Sequence, residues 1–148
     1  CKQAVHDLNL LFRRKRIEVT LAINGAGPTI NVETDASILG TLVHGKTSAE
    51  TNGAGKLMRA EVRLPVKLSI NTPKGVRDAG TGYAEVIAAH ELVHALGHAP
   101  HNSHLMAQAF SKSPGDRPAG DKLTAGGVSL PPLDLSDDSV AQLKSIWG

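Results

Sequence analysis

A chain of 148 residues is the length of one domain, long enough to bury a core without disulfide staples. Sixteen Lys and Arg against fourteen Asp and Glu leave a net charge of +2, too small to argue for a nucleic acid or an anionic membrane as partner. Aromatic residues are only 3% of the chain, so the core must come from Val, Ile, Leu and Ala, and no stacking platform for sugars or bases stands out. No apolar run approaches the ~18 residues of a membrane span. The most apolar one, "YAEVIAAHELVHALG", is broken by Glu85, His90, Glu91 and His94. A single cysteine, Cys1, excludes an intrachain disulfide. No signal peptide is visible, and a chain opening on Cys rather than Met is expected to be a mature or trimmed product. Lipid on Cys1 is the other reading of that residue, and a helix that starts almost at once, with no flexible spacer, argues against it.

In chain order, residues 3–14 carry Val5, Leu8, Leu11 and Phe12 at helical spacing, and Arg13 to Arg16 sit where cations suit the end of a helix. "RIEVTLAIN" alternates, with Ile17, Val19, Leu21 and Ile23 on one face, and is expected to be a half-buried strand. "TINVET" is expected to be a second short strand, and "SILGTLVHG" another strand or a loop edge. "TSAETNGAGK", residues 47–56, is polar and glycine-rich and reads as a loop. "AEVRLPVKLSI" alternates through Val62, Leu64, Val66, Leu68 and Ile70, and Pro65 places that strand at an edge or bends it. "NTPKGVRDAGTG" reads as a loop. A long helix over about 83–96 is stopped by Gly97. Residues 107–134, rich in Gly, Pro, Ser and Asp, read as a long surface connection. A closing helix follows, with Ser136 as N-cap, Asp137 and Asp138 in its first turn, and Val140, Leu143, Ile146 and Trp147 on its apolar face. There are no internal repeats, and residues 1–148 read as a single α+β domain.

The stretch "HELVHALGHAPHNSHLM", residues 90–106, holds five of the seven histidines. Residues four apart on a helix stack on one face, so His90 and His94 can offer two imidazoles to one metal ion. Zinc suits imidazole nitrogen, and a catalytic zinc site has three protein ligands and an open position. Glu91 is turned about 100° from His90 around the helix, near the metal but not obliged to bind it, as a general base requires. Gly97 lets the chain turn sharply so that a third histidine can fold back. His98, His101 and His104 are the candidates. The bland alternative is a buried helix with two hydrogen-bonded histidines.

"HELVHALGHAPH" resembles the metzincin motif H-E-x-x-H-x-x-G-x-x-H, and its "HALG" is similar to the matrixins, the matrix metalloproteinase-like family. "SHLM" offers Met106 for the methionine turn that metzincins place beneath the zinc. The closing "LSDDSVAQLKSIWG" is similar to the last matrixin helix through Leu135, Ser136, Asp138, Val140, Leu143, Ile146 and Gly148, with Trp147 in place of a tyrosine. The resemblance implies a metzincin-like fold: a twisted mixed β-sheet, an N-terminal helix, the active-site helix, a methionine turn and a C-terminal helix. It implies a secreted or extracytoplasmic zinc endopeptidase, with one catalytic zinc and a protein or peptide as substrate; a monomer is expected. The family's third histidine stands three residues after the glycine, where this chain has Pro100; read as a one-residue insertion, His101 becomes the third ligand beside His90 and His94. The resemblance gives Glu91 the role of base and then acid. The family's usual tyrosine after the methionine is absent, and no cluster for a second, structural zinc stands out. An exposed strand edge, from "AEVRLPVKLSI" or residues 38–45, is expected to take an extended peptide as an added strand. The competing function is a zinc-binding interaction module without catalysis; keeping a glutamate at position 91 argues against it.

Overall fold

The computed structural model of the chain describes residues 2–38, 45–66, 69–72, 75–78, 81–98, 100–101, 104–106, 124–125, 128–129 and 133–148. The elements in chain order are helix α1 (Lys2–Lys15), strands β1 (Thr29–Asp35), β2 (Lys46–Thr51), β3 (Leu57–Pro65), β4 (Ser69–Thr72) and β5 (Gly75–Asp78), helix α2 (Thr81–Ala95), a 3-10 turn (His104–Met106), strands β6 (Thr124–Ala125) and β7 (Val128–Ser129), and helix α3 (Asp137–Trp147). The architecture is mixed α+β, with three helices and a small mixed three-stranded sheet.

Each helix forms for local reasons. α1 buries Ala4, Leu8, Leu11 and Phe12, one face at helical spacing. It ends in a turn where the Ile17 N–H reaches back to the Phe12 carbonyl at 2.9 Å and Arg16 adopts φ +58°. α3 starts at Ser136, whose hydroxyl accepts the Ser139 N–H at 3.2 Å. α2 is different, because it is apolar nearly all round: Val86, Ile87, Ala88, Ala89, Leu92, Val93 and Ala95 are all buried. Such a helix belongs in the middle of a protein. One core joins α2 to Leu8, Leu11 and Phe12 of α1, to Leu105 and Met106 of the 3-10 turn, and to Leu135 and Leu143. A second cluster, Leu57, Ala60 and Val62 with Ala95, seats β3 on α2.

The sheet order is β1-β3-β2, with β1 parallel and β2 antiparallel to β3. Four sequence expectations need correction. Residues 17–23 form no strand. Ile17 is buried, and Val19 and Leu21 pack on the helical core, which accounts for the alternation. The backbone there bonds elsewhere: the Asn9 side chain takes both the N–H and the carbonyl of Leu21 at 2.8 Å, and the Glu18 N–H bonds the Gly148 carbonyl at 2.7 Å. Residues 47–51, read as loop, belong to β2, which is polar because it is an edge strand exposed along most of its length. The turn proper is 52–56, where the Asn52 side chain accepts the N–H groups of Ala54 and Lys56.

β3 is central rather than an edge. It tolerates Pro65 because Pro65 is its last residue and lies past the final β2 pairing, Lys46↔Arg63. Val66 then leaves the alternation and is 67% exposed. Finally, part of the expected loop over 71–82 is the β4–β5 pair, with Ser69 opposite Asp78. Residues 39–44 and most of 107–134 lie outside the described residues, so the expectations for "SILGTLVHG" and the long connection meet only a few residues, among them the two-residue strands β6 and β7.

Candidate metal centre

His90 and His94 stand one turn apart on α2, and their Nε2 atoms are 3.0 Å apart. After α2 the chain reverses at Gly97, whose φ of +109° is in the left-handed region. The reversal is closed by the Gly97 N–H to the His94 carbonyl at 3.0 Å and the His98 N–H to the Val93 carbonyl at 3.3 Å. It brings His101 back over the helix, with its Nε2 3.1 Å from that of His94. The three histidines offer ligand atoms that all lie within 4.8 Å of one another, and they can hold one metal ion. His90 is buried, His94 half-buried and His101 exposed, so the group opens to solvent on the His101 side.

The two helix histidines are oriented from behind by main-chain carbonyls. His90 Nδ1 is 2.7 Å from the Leu105 carbonyl, and His94 Nδ1 is 2.6 Å from the His98 carbonyl. A carbonyl oxygen only accepts, so each Nδ1 carries the proton and donates it. In the neutral rings, Nε2 is therefore a bare lone pair. Two such lone pairs facing each other at 3.0 Å repel unless a cation sits between them. Burial holds the His90 imidazolium at a disadvantage: desolvation, against the opposing Leu105 carbonyl and with the other histidines' charges, lowers its pKa from 6.5 to about 4. His101 is lowered as well, by desolvation and then by His94. A proton is thus a poor bridge at neutral pH, and a metal ion fits. Tetrahedral zinc with nitrogen at 2.0–2.1 Å would set neighbouring nitrogens about 3.3 Å apart, within a few tenths of an ångström of the two short distances here.

Of the other two candidates for the third position, neither joins the group. His98 is fully buried, and among the described residues neither ring nitrogen has a hydrogen-bond partner, although its own and the Pro100 carbonyl lie near enough to favour the charged ring against desolvation. His98 serves His94 through its main chain instead. His104 is half-buried at φ +59° in the 3-10 turn. Met106 is fully buried in the core beside Leu105, whose carbonyl holds His90.

Glu91 is 6% exposed. Its carboxylate accepts a hydrogen bond from the Thr47 hydroxyl of β2, which also lies 3.3 Å from the Glu91 main-chain oxygen. Desolvation raises the Glu91 pKa, and the Thr47 hydrogen bond and then His94 oppose that rise. Thr47 also lines a shallow cleft of about 480 Å³ with Lys46, Ser48, Glu61 and Arg63. Of the residues named from the sequence, the structure brings His90, His94 and His101 together, sets Glu91 beside His90 on the same helix and places Met106 in the core. Sequence reasoning missed Thr47 and the carbonyls of His98 and Leu105, which carry no residue-type signal. Compared with family models, curated proteins and solved structures, the chain gives no match in any of the three.

Proposed function

We propose that the chain is a zinc-dependent endopeptidase of matrixin-like kind, acting outside the cytoplasm on protein or peptide substrates. The observation that carries the reading is the convergence of three histidine Nε2 positions beside a buried carboxylate that is not one of the three. A structural zinc site has no use for that carboxylate, whereas hydrolysis needs a base. His90, His94 and His101 would hold the ion. Bound there, zinc supplies Lewis-acid chemistry, polarising a peptide carbonyl and acidifying a water.

Glu91 takes the proton of the attacking water and hands it to the leaving amine. Burial, which raises its pKa, favours the first half of that exchange by stabilising the protonated acid. The carbonyls of Leu105 and His98 keep two imidazoles in the tautomer that presents Nε2. Among the described residues strand β2 is an edge that pairs on one side with β3, and it touches the site through Thr47. An extended peptide adding to that edge would have its backbone aligned by main-chain hydrogen bonds, which suits a peptide substrate.

The test is direct. Purified protein should carry about one zinc per chain by elemental analysis. Glu91→Ala should keep that zinc and lose about 10²–10⁴-fold in cleavage of an unfolded protein. A wild type that holds zinc but cleaves nothing would instead make the chain a binding module, and a wild type without zinc ends both readings.

A further inference from the structure

Glu91 has a long side chain on a helix whose other duty is to present His90 and His94. A general base works only when its carboxylate is held at the reacting water, so something must choose its rotamer. We propose that Thr47 and Gly45, side by side at the start of the edge strand, are the positioning residues of Glu91: one ties down a carboxylate oxygen and the other keeps open the space the carboxylate occupies. The proposal rests on the reading of Glu91 as the base.

The two contacts are independent. The Thr47 hydroxyl has one proton, and it donates to Glu91 Oε2. That leaves Oε1 for proton transfer. On the Oε1 side stands Gly45. A Cβ built there would fall 2.7 Å from Glu91 Cγ, 2.8 Å from Oε1 and 2.9 Å from Cδ. All three distances are too short for any real side chain. The backbone at Gly45 does not lie in the left-handed region, so its conformation alone does not demand glycine. What demands it is the glutamate. The atoms a methyl group would meet run from Cγ to the carboxylate and are all side-chain atoms of Glu91, so substitution must turn that whole side chain and carry the carboxylate with it.

The experiment uses Thr47→Val, Thr47→Ser and Gly45→Ala in the full chain, with a quenched fluorescent peptide that wild type cleaves. Thr47→Val should lower kcat at least 10-fold, with KM and zinc affinity (by competition with a chromophoric chelator) within about twofold of wild type. Thr47→Ser restores the hydroxyl and should bring kcat back to within about threefold. Gly45→Ala should cost about 10²-fold in kcat, the usual consequence of a misplacement near 1 Å. A readout without turnover accompanies these: in zinc-free protein, the carboxyl ¹³C resonance of Glu91 should shift in the valine variant and return in the serine one. Thr47→Val with wild-type kcat and an unmoved resonance overturns the positioning role, even if its melting temperature falls. If that variant does not fold, Gly45→Ala with wild-type kcat overturns it. Failure of wild type to cleave any peptide overturns the base reading, and this one with it.

Discussion

Acid should weaken the metal-free protein through His90. The ring is 7% exposed, and its pKa in the folded chain lies at about 4, against an ordinary 6.5. Between those values the unfolded chain binds a proton that the folded chain refuses. The stabilisation is therefore complete above about pH 6.5 and falls as the pH drops through the window to 4. Each pH unit in the window is worth about 1.4 kcal/mol, so the whole effect is about 3 kcal/mol, a large part of an ordinary domain's stability. The measurement is urea unfolding after dialysis against a chelator, at pH 7, 6, 5 and 4. His98 and His101 are shifted the same way and contribute in the same direction, so the wild-type curve alone does not isolate His90. His90→Asn does: its amide keeps a donor near the Leu105 carbonyl and removes the titration. The wild-type stability minus that of the variant should fall by about 3 kcal/mol from pH 7 to pH 4. A difference that stays flat refutes the burial argument, and with it the claim that a proton is a poor bridge between His90 and His94.

Two further outcomes are expected. Glu85 on α2 faces Asp7 on α1, and the hydrogen bond with Asp7, then burial and like charge, raise its pKa to about 7; the pair's contribution is present below pH 4.5 and lost as the pH rises through 7, so Glu85→Gln should gain melting temperature over wild type as the pH goes from 5 to 8. His98→Leu should leave zinc affinity within about threefold and hold or raise stability by about 1–2 kcal/mol, because it removes two buried nitrogens without partners, whereas His101→Ala should weaken zinc at least 10²-fold; the reverse pattern would make His98 the ligand.

Where one segment's own sequence decides its structure, the fold was legible. α1 and α3 announce themselves by a single apolar face and, for α3, by the Ser136 cap, and both stand within a residue or two of the expected bounds. The errors came from reading alternation as a ladder. Residues 17–22 alternate because Ile17, Val19 and Leu21 rest on helices, yet their hydrogen bonds go to Asn9 and Gly148, partners no local pattern can name. β2 fails in the opposite sense. It is a strand by pairing with β3, but as an edge it buries little and so carries no apolar period.

The site divides along the same line. His90, Glu91 and His94 are fixed by one helix, so their spacing is a geometric statement. The third position depends on what the chain does after Gly97, which spacing within the helix does not determine. The chain leaving α2 first turns the His98 carbonyl back to His94 Nδ1, then crosses Pro100, and only then delivers His101 to the other side of the same ring. One segment thus holds His94 Nδ1 through a main-chain oxygen and sets a second imidazole nitrogen 3.1 Å from its Nε2. The backbones that do this orienting are themselves held from far along the sequence. Trp147 Nε1 donates to the Leu96 carbonyl at 2.9 Å, and the Leu105 N–H bonds the Asp134 carbonyl at 3.0 Å. The Asp134 carboxylate in turn meets Lys15 of α1 at 3.1 Å. The closing helix and the residues before it, which touch none of the three histidines through these bonds, hold the main chain on which two of the three are aimed. Asp134, before the closing helix's start, and Trp147, at its end, thus brace the main chain close to the two carbonyls that orient His90 and His94.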